Sequence, residues 1–339
     1  MTTLPIIDIA PFLNRDLADE SNRAATSAAL HKACVEYGFF YLRIEAFVDS
    51  SEPQELAQLA RAFFDLPQEN KDKLALKNQD YARGYAKLKE NVTNGKADAH
   101  EGLDFYRPVL NPNKKKALWG ENQWPTEIPQ FRKKFEIWIN KMKELGMIVM
   151  EAMSQGLGMT QDEWEELRAQ VDDSFWVMRV IGYPSLPKDH DGISCGAHKD
   201  YGCLTFLYAD PTPNALQVFL DRGGSEKGTW INADPIPGCI VCNIGEMWEI
   251  WTNGLYRSTL HRVVHRGTNY RVSIPFFFEP NFDALVKPLP AVKRRVEAEE
   301  SLSKRVRRPV KYGEFLMSKV GNNFEKGDAS GRYGTISKL

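Results

Sequence analysis

Six histidines occur in this chain: His31, His100, His190, His198, His261 and His265. The triplet His198-Lys199-Asp200 puts an imidazole and a carboxylate two residues apart, on one side of a strand or strand end. With a third ligand from another strand, such a pair forms a two-His-one-carboxylate face. That face leaves three adjacent positions open on Fe(II), for a bidentate oxidant and for O2. A bare His-x-Asp is common on protein surfaces, so its meaning depends on the rest of the chain. His261 lies on a strand-like segment, Ser258 to Val264, and His265 stands four residues further on. Alternation along a strand points both the same way and does not choose between them. Arg271-Val272-Ser273 comes next, its first and last members sharing one strand face. A guanidinium fork with a hydroxyl suits a carboxylate at the end of a narrow pocket. Tyr183, before Pro184, offers a third hydrogen bond. A metal face combined with a carboxylate anchor is the equipment of an oxygenase with a 2-oxo acid as co-substrate. Arg179 shares a strand face with Tyr183. It either directs a cation toward the pocket, where the substrate would present an acceptor or anion, or forms a structural salt bridge.

The elements that must carry these residues are legible as a change of period. The first third reads as mixed, with helices predominating. Pro5 to Ile9 is strand-like, residues 22–37 are helical up to Gly38, and Phe39 to Leu42 reads as a buried strand. Leu56, Leu59, Ala60 and Phe63 mark a helix ended by Pro67. Phe131, Phe135, Trp138, Met142, Leu145 and Val149 form the stripe of a longer one. Thr160 and Glu163 predict a capping box opening a short helix to about residue 169. After residue 174 the period becomes two. Strands are predicted at Phe175–Tyr183, Cys203–Tyr208, Ala215–Phe219, Thr229–Ile231, Cys239–Asn243, Ser258–Val264 and Tyr270–Glu279. Turn signals separate them, among them Asp221-Arg222-Gly223-Gly224 and Pro235-Ile236-Pro237-Gly238. This spacing suggests a sandwich, barrel or jelly roll. From Ala291 the chain turns charged and helical, with a polar tail from about Gly321.

Composition bounds the function classes. The 44 Lys+Arg balance 45 Asp+Glu across 339 residues, which argues against nucleic acid or an anionic membrane as partner. No run approaches the ~18 apolar residues of a membrane span, and residues 1–8 show no secretory leader. Five scattered cysteines do not form a disulfide framework. The expectation is a cytoplasmic monomer acting on a small molecule. Cys239-Ile-Val-Cys242 has redox or zinc spacing, yet reads as a buried strand whose cysteines face opposite ways. Cys195 sits near the His-x-Asp motif without evidence of a role. His31 and His190 read as exposed polar residues. Lys293-Arg294-Arg295, Lys304-Arg305 and Arg307-Arg308 are interrupted by Glu297, Glu299 and Glu300, which predicts a solvated helix with internal ion pairs.

Taken in order, these segments resemble the isopenicillin N synthase-like branch of the Fe(II)- and 2-oxoglutarate-dependent dioxygenases. The matching stretches span nearly the whole chain. They are Pro5-Ile-Ile-Asp-Ile, Tyr37-Gly-Phe-Phe, Phe63-Phe-Asp-Leu-Pro, Arg83-Gly-Tyr85, Glu101-Gly-Leu-Asp-Phe105 and Asn122-Gln-Trp-Pro125. Gly196-Ala-His-Lys-Asp-Tyr-Gly202, Leu216-Gln-Val218, Asn253-Gly-Leu-Tyr-Arg-Ser258, His261-Arg-Val263, Arg271-Val-Ser273 and Tyr312-Gly-Glu-Phe-Leu316 complete the series. The resemblance implies a mixed α/β fold with a distorted double-stranded β-helix (jelly roll) core and flanking helices. It implies one globular unit over 1–339: a helix-rich region 1–170, the dioxygenase core 171–290 and a helical tail 291–339. It also implies that His198, Asp200 and His261 hold Fe(II), which selects His261 over His265 and leaves His265 as a surface residue. Arg271 and Ser273, helped by Tyr183, would hold the distal carboxylate of 2-oxoglutarate, with O2 as oxidant and ascorbate as reductant. Tyr201 and Phe277 stand where related enzymes place aromatics against the prime substrate, and Arg179 joins them as a substrate-binding candidate.

Three departures stand out: Lys199 between the ligands, Gly245-Glu246 for Gly-Asp, and Ile181 where many plant members have Asn. The first is expected to face away, the second to affect a turn, the third to remove one co-substrate contact. The implied activity is hydroxylation or desaturation of a small metabolite. Rivals are an oxidase of the isopenicillin N synthase type, in which Arg271 and Ser273 bind the substrate's own carboxylate, and a non-catalytic ligand-binding relative. Pattern does not select the substrate.

Overall fold

Residues 177–183 and 271–278, read above by a period of two, are buried at every position. The computed structural model describes residues 3–13, 20–93, 95–221, 228–298 and 307–321. In chain order it contains β1 (Ile6–Asp8), α1 (Ala10–Leu13), α2 (Glu20–Glu36), β2 (Phe39–Arg43), α3 (Ser51–Phe64) and α4 (Gln68–Asp72). Next come β3 (Gly84–Ala86), β4 (Val92–Thr93), β5 (Lys96–Ala97), β6 (Glu101–Tyr106), α5 (Phe131–Gly156) and α6 (Gln161–Arg168). The core strands are β7 (Val177–Tyr183), β8 (Ile193–His198), β9 (Leu204–Ala209), β10 (Leu216–Leu220), β11 (Thr229–Asn232) and β12 (Cys239–Ile244). α7 (Glu246–Trp251), β13 (His261–Val264), β14 (Arg271–Phe278), β15 (Leu285–Val286), α8 (Pro290–Ala298), β16 (Val310–Lys311) and α9 (Tyr312–Gly321) complete the chain.

Eight strands form one sheet in the order β1-β2-β12-β9-β14-β7-β6-β3, and four form another, β11-β10-β13-β8. The large sheet has two different faces. One packs on α3 and α5, where Gly146 meets the Phe278 ring so closely that a Cβ would lie 2.3 Å from it. The whole apolar stripe of α5 is buried there. Each such side chain contributes about 1.5–3 kcal/mol. Packing therefore holds this helix, since its N-cap, Gln130, sits at φ 68° with no side-chain cap bond. The other face meets the four-stranded sheet across a smaller core that includes Phe39, Ile181, Leu216, Val218, Val241 and Val263. Two facing sheets, antiparallel except for the parallel edge pair β1–β2, with helices on one outer side make the expected jelly roll with flanking helices.

The predicted capping box is present, with Thr160 Oγ1 accepting from Glu163 N at 3.3 Å. Gly38 adopts φ 65° after α2, and a Cβ there would strike Arg257 O. Cys239 and Cys242 are free and lie on opposite faces of β12, toward the small and large cores. β6, whose short stretch alternates poorly, and α7, only six residues long, have no counterpart in the pattern reading. Two arginines of the basic segment reach other helices. Arg294 pairs with Glu163, and Arg295 donates to the carbonyls of Leu157 and Gly156 at 3.1 and 2.8 Å. α8 thus caps the C-terminus of α5, where a cation meets the helix dipole. Arg222, Gly223, Gly224, Glu299, Glu300, Lys304, Arg305 and the tail beyond Gly321 lie outside the described residues. No helix among the described residues is long and apolar enough to cross a membrane.

Candidate metal and carboxylate site

The pairing of β8 with β13 sets His198 directly opposite His261. Asp200 comes two residues after the end of β8, in the loop that leads to β9. The ligand atoms of His198, Asp200 and His261 all lie within 4.8 Å of one another. Asp200 Oδ1 is 3.8 Å from His198 Nε2 and 3.6 Å from His261 Nε2. Each imidazole is anchored from behind: His198 Nδ1 lies 2.8 Å from Gly196 O, and His261 Nδ1 lies 3.1 Å from Thr259 O. A carbonyl only accepts, so both Nδ1 atoms carry the proton in the neutral ring and both Nε2 lone pairs face inward. Asp200 is held as firmly. Its Oδ2 accepts from Thr205 Oγ1 and Asn243 Nδ2, each at 2.5 Å, leaving Oδ1 toward the imidazoles. Burial works against its charge, but His261, His198 and these two hydrogen bonds hold the carboxyl below its ordinary range.

His265 does not share this site. The register of β13 shifts twice between His261 and Val264, so strict alternation does not reach His265. It is buried rather than at the surface, with Nε2 on Asn269 O at 2.8 Å. His31 is half-buried between the Tyr256 hydroxyl and Arg295, also unlike the exposed residue expected. His190 is half-buried as well, its Nδ1 accepting from Gly192 N at 3.0 Å.

The cavity beside the triad is lined by both sheets. On β14 and β7, Arg271 pairs with Tyr183 and Ser273 with Ile181, so they stand on successive rungs of one face. Arg271 is 1% exposed, with its guanidinium 4.7 Å from the centre of the Tyr183 ring. Its Nε and Nη1 have no hydrogen-bond partner among the described residues. A buried cation with idle donors is an anion site in waiting. Arg179 and Phe277 line the same cavity, and Arg179 Nε donates to Asp104 Oδ1 at 2.9 Å. Tyr201 does not line it; Lys319 Nζ sits 4.8 Å from its ring centre, on the side of α9. Lys199 faces away and pairs with Glu249 at 3.1 Å. Gly245 and Glu246 open α7, where Glu246 N donates to Asp200 O at 3.0 Å. This turn steadies the ligand loop through its backbone.

Sequence reading missed Thr205, Asn243, Asp104 and His100. Asp104 stands inside the segment Glu101-Gly-Leu-Asp-Phe105, but no local signal shows that it would face Arg179 across β6 and β7.

Glu279 supports the ligand loop from the other side. Its Oε2 accepts from Cys203 N at 2.9 Å, and it fills the space a side chain at position 202 would need. Burial pushes this carboxyl up to about 8, although the Cys203 amide and the Tyr312 hydroxyl pull it the other way. The folded state therefore holds a proton that the unfolded chain releases near its ordinary value. That contribution to stability is full below the unfolded pKa and is lost as pH rises through about 8. Glu279→Gln is expected to remove most of this dependence. Thermal melts from pH 5 to 9 should show the variant gaining on the parent at the alkaline end by a few kcal/mol. Parallel curves would refute it.

The donor set fits Fe(II), with two imidazole nitrogens and one carboxylate oxygen on one side and an open side facing the cavity. The buried Arg271 fits a co-substrate carboxylate. Residues 4–127 match the family described as the non-haem dioxygenase in morphine synthesis N-terminal region. Residues 173–280 match the 2OG-Fe(II) oxygenase superfamily. A homoarginine-6-hydroxylase of Glycine max is 39% identical, the alignment covering 95% of this chain and 98% of that protein. One from Arabidopsis thaliana is also 39% identical, with 95% and 98% covered. The crystal structure of a full-length Neurospora crassa protein in complex with alpha-KG superposes with a TM-score of 0.76 at 26% identity, covering 93% of this chain and 94% of that one.

Proposed function

The chain belongs to the 2OG-Fe(II) oxygenase superfamily, and from that premise we propose that His198, Asp200 and His261 hold its Fe(II) while Arg271, Ser273 and Tyr183 hold 2-oxoglutarate. The enzyme uses Fe(II), 2-oxoglutarate and O2 to hydroxylate a small metabolite. Bound iron supplies the redox step, in which oxidative decarboxylation of 2-oxoglutarate to succinate and CO2 is coupled to oxidation of the substrate. The chain's own residues do the rest. Gly196 O and Thr259 O fix the tautomers of the two imidazoles, so both reach the ion as neutral donors. Thr205 and Asn243 hold the Asp200 carboxylate in one orientation. Arg271 and Ser273 fix the far end of the co-substrate, which aims its 2-oxo end at the triad. Ile181, Leu207, Val263 and Phe277 give the cavity apolar walls that exclude water.

One observation carries the reading: three ligand atoms within 4.8 Å of one another, beside the cavity that also holds the idle donors of Arg271. Homoarginine is the first metabolite to assay, given the names of the relatives. The five cysteines, all free, suit a reducing compartment and support a cytoplasmic location. The test is stoichiometric. Fe(II)-loaded protein with 2-oxoglutarate and substrate should release one succinate per hydroxylated product. Product formed without 2-oxoglutarate would instead support the isopenicillin N synthase type of oxidase. Failure to bind Fe(II) would support a non-catalytic binding protein.

A further inference from the structure

We infer that the cavity grips its prime substrate by an α-amino-acid head group, with Arg179 taking the carboxylate and His100 Nε2 accepting from the adjacent ammonium. This rests on the oxygenase reading above and deepens it.

His100 stands just before β6, is 1% exposed, and lines the same cavity as the triad. Its Nδ1 lies 2.9 Å from Ser194 O. A carbonyl only accepts, so Nδ1 carries the proton and Nε2 presents a lone pair. Burial and the charge of Arg179 push the imidazole down to about 4, which keeps it neutral at physiological pH. Nε2 has no hydrogen-bond partner among the described residues. A buried acceptor in this state wants an N–H or O–H donor, which no carboxylate of the co-substrate supplies. Asp98 lies nearby but is not that donor. Its two carboxyl oxygens already accept, from Gly196 N at 3.0 Å and from Thr93 Oγ1 at 2.8 Å.

Arg179 supplies the complementary half. It lines the same cavity as His100 and the triad. Asp104, 1% exposed, holds the guanidinium through Nε and is a positioning residue. The charge balance selects the ligand class. Arg179 and Asp104 together are neutral, and a simple carboxylate would bring an uncompensated negative charge into a buried site. A zwitterion brings none, and it presents an acceptor for Arg179 and a donor for His100 side by side. A planar imide such as a pyrimidine base also pairs donor with acceptor, but it makes poor use of a guanidinium fork built for carboxylates.

The test uses the full chain with Fe(II) and 2-oxoglutarate and tracks succinate release. The probes are the protein-forming α-amino acids and L-homoarginine, the des-amino and decarboxylated analogues of whichever is turned over, and thymine. One amino acid should be a substrate, with kcat/KM for each truncated analogue at least about 100-fold lower. His100→Phe should raise KM for that amino acid about 20-fold and shrink discrimination against the des-amino analogue by the same factor of about 20. KM for 2-oxoglutarate should stay unchanged. The wild-type panel stands alone if the variant does not fold. The assignment is overturned if thymine or an amine-free acid is turned over while amino acids are silent. It also falls if His100→Phe keeps the discrimination, or if iron and 2-oxoglutarate bind and no amino acid reacts. Failure to bind iron or 2-oxoglutarate would instead sink the oxygenase reading itself.

Discussion

Asp200→Ala is expected to cut substrate-dependent succinate release by about 10³-fold or more, because it removes a proposed ligand of an ion that would supply several kcal/mol of the chemistry. The loss should appear as absent iron in metal analysis of the purified protein, with far-ultraviolet circular dichroism unchanged. His198→Ala and His261→Ala should behave alike. The informative comparison is His265→Ala. His265 is more buried than the three proposed ligands, but its Nε2 is committed to Asn269 O and it does not line the cavity. Its removal should lower the melting temperature and leave iron content intact. Asn243→Ala probes the next layer outward. It deprives Asp200 Oδ2 of one of two donors at 2.5 Å, for an expected loss of about 10- to 100-fold in metal affinity. Full turnover by Asp200→Ala, or loss of iron from His265→Ala with retention in His261→Ala, would reverse the ligand assignment.

The contrast between His261 and His265 shows how far the chain could be read in one dimension. Helical stripes and period-two strands located most of the framework, because the α5 stripe and the β7, β9, β12 and β14 faces are each set by local burial. Alternation failed at β13, where register shifts redirect the chain within four residues, and only family resemblance separated the two histidines. Tyr201 failed for a related reason. Adjacency to Asp200 says nothing about direction once β8 has ended, and the ring turns toward Lys319 instead. Asn243, Asp104 and His100 were invisible because their meaning is relational. Asn243 matters through Asp200, 43 residues away, Asp104 through Arg179, 75 away, and His100 through Ser194, 94 away. A pattern reports which face a residue occupies, while long-range pairing decides what it faces.

Arg271→Leu should separate function from stability. On the function proposed above, the guanidinium would meet a co-substrate carboxylate in a buried site, and truncating one partner of such a pair costs about 2–5 kcal/mol. KM for 2-oxoglutarate is therefore expected to rise by about 30- to 4,000-fold. kcat at saturation should fall less, because the distal carboxylate is held equally in ground and transition states. Ser273→Ala removes a single neutral donor and should raise the same KM only about fivefold to tenfold. Without co-substrate the sign changes. Nε and Nη1 of Arg271 have no partner among the described residues, and the side chain is 1% exposed. The free protein thus carries a poorly compensated buried charge, and an apolar residue of similar reach should leave its melting temperature unchanged or raise it. Saturating 2-oxoglutarate should raise the melting temperature of the parent but not of the variant. The same pair of melts tests the rival oxidase. If Arg271 grips the prime substrate's own carboxylate, 2-oxoglutarate stabilises neither protein, and the KM that rises is that of the prime substrate.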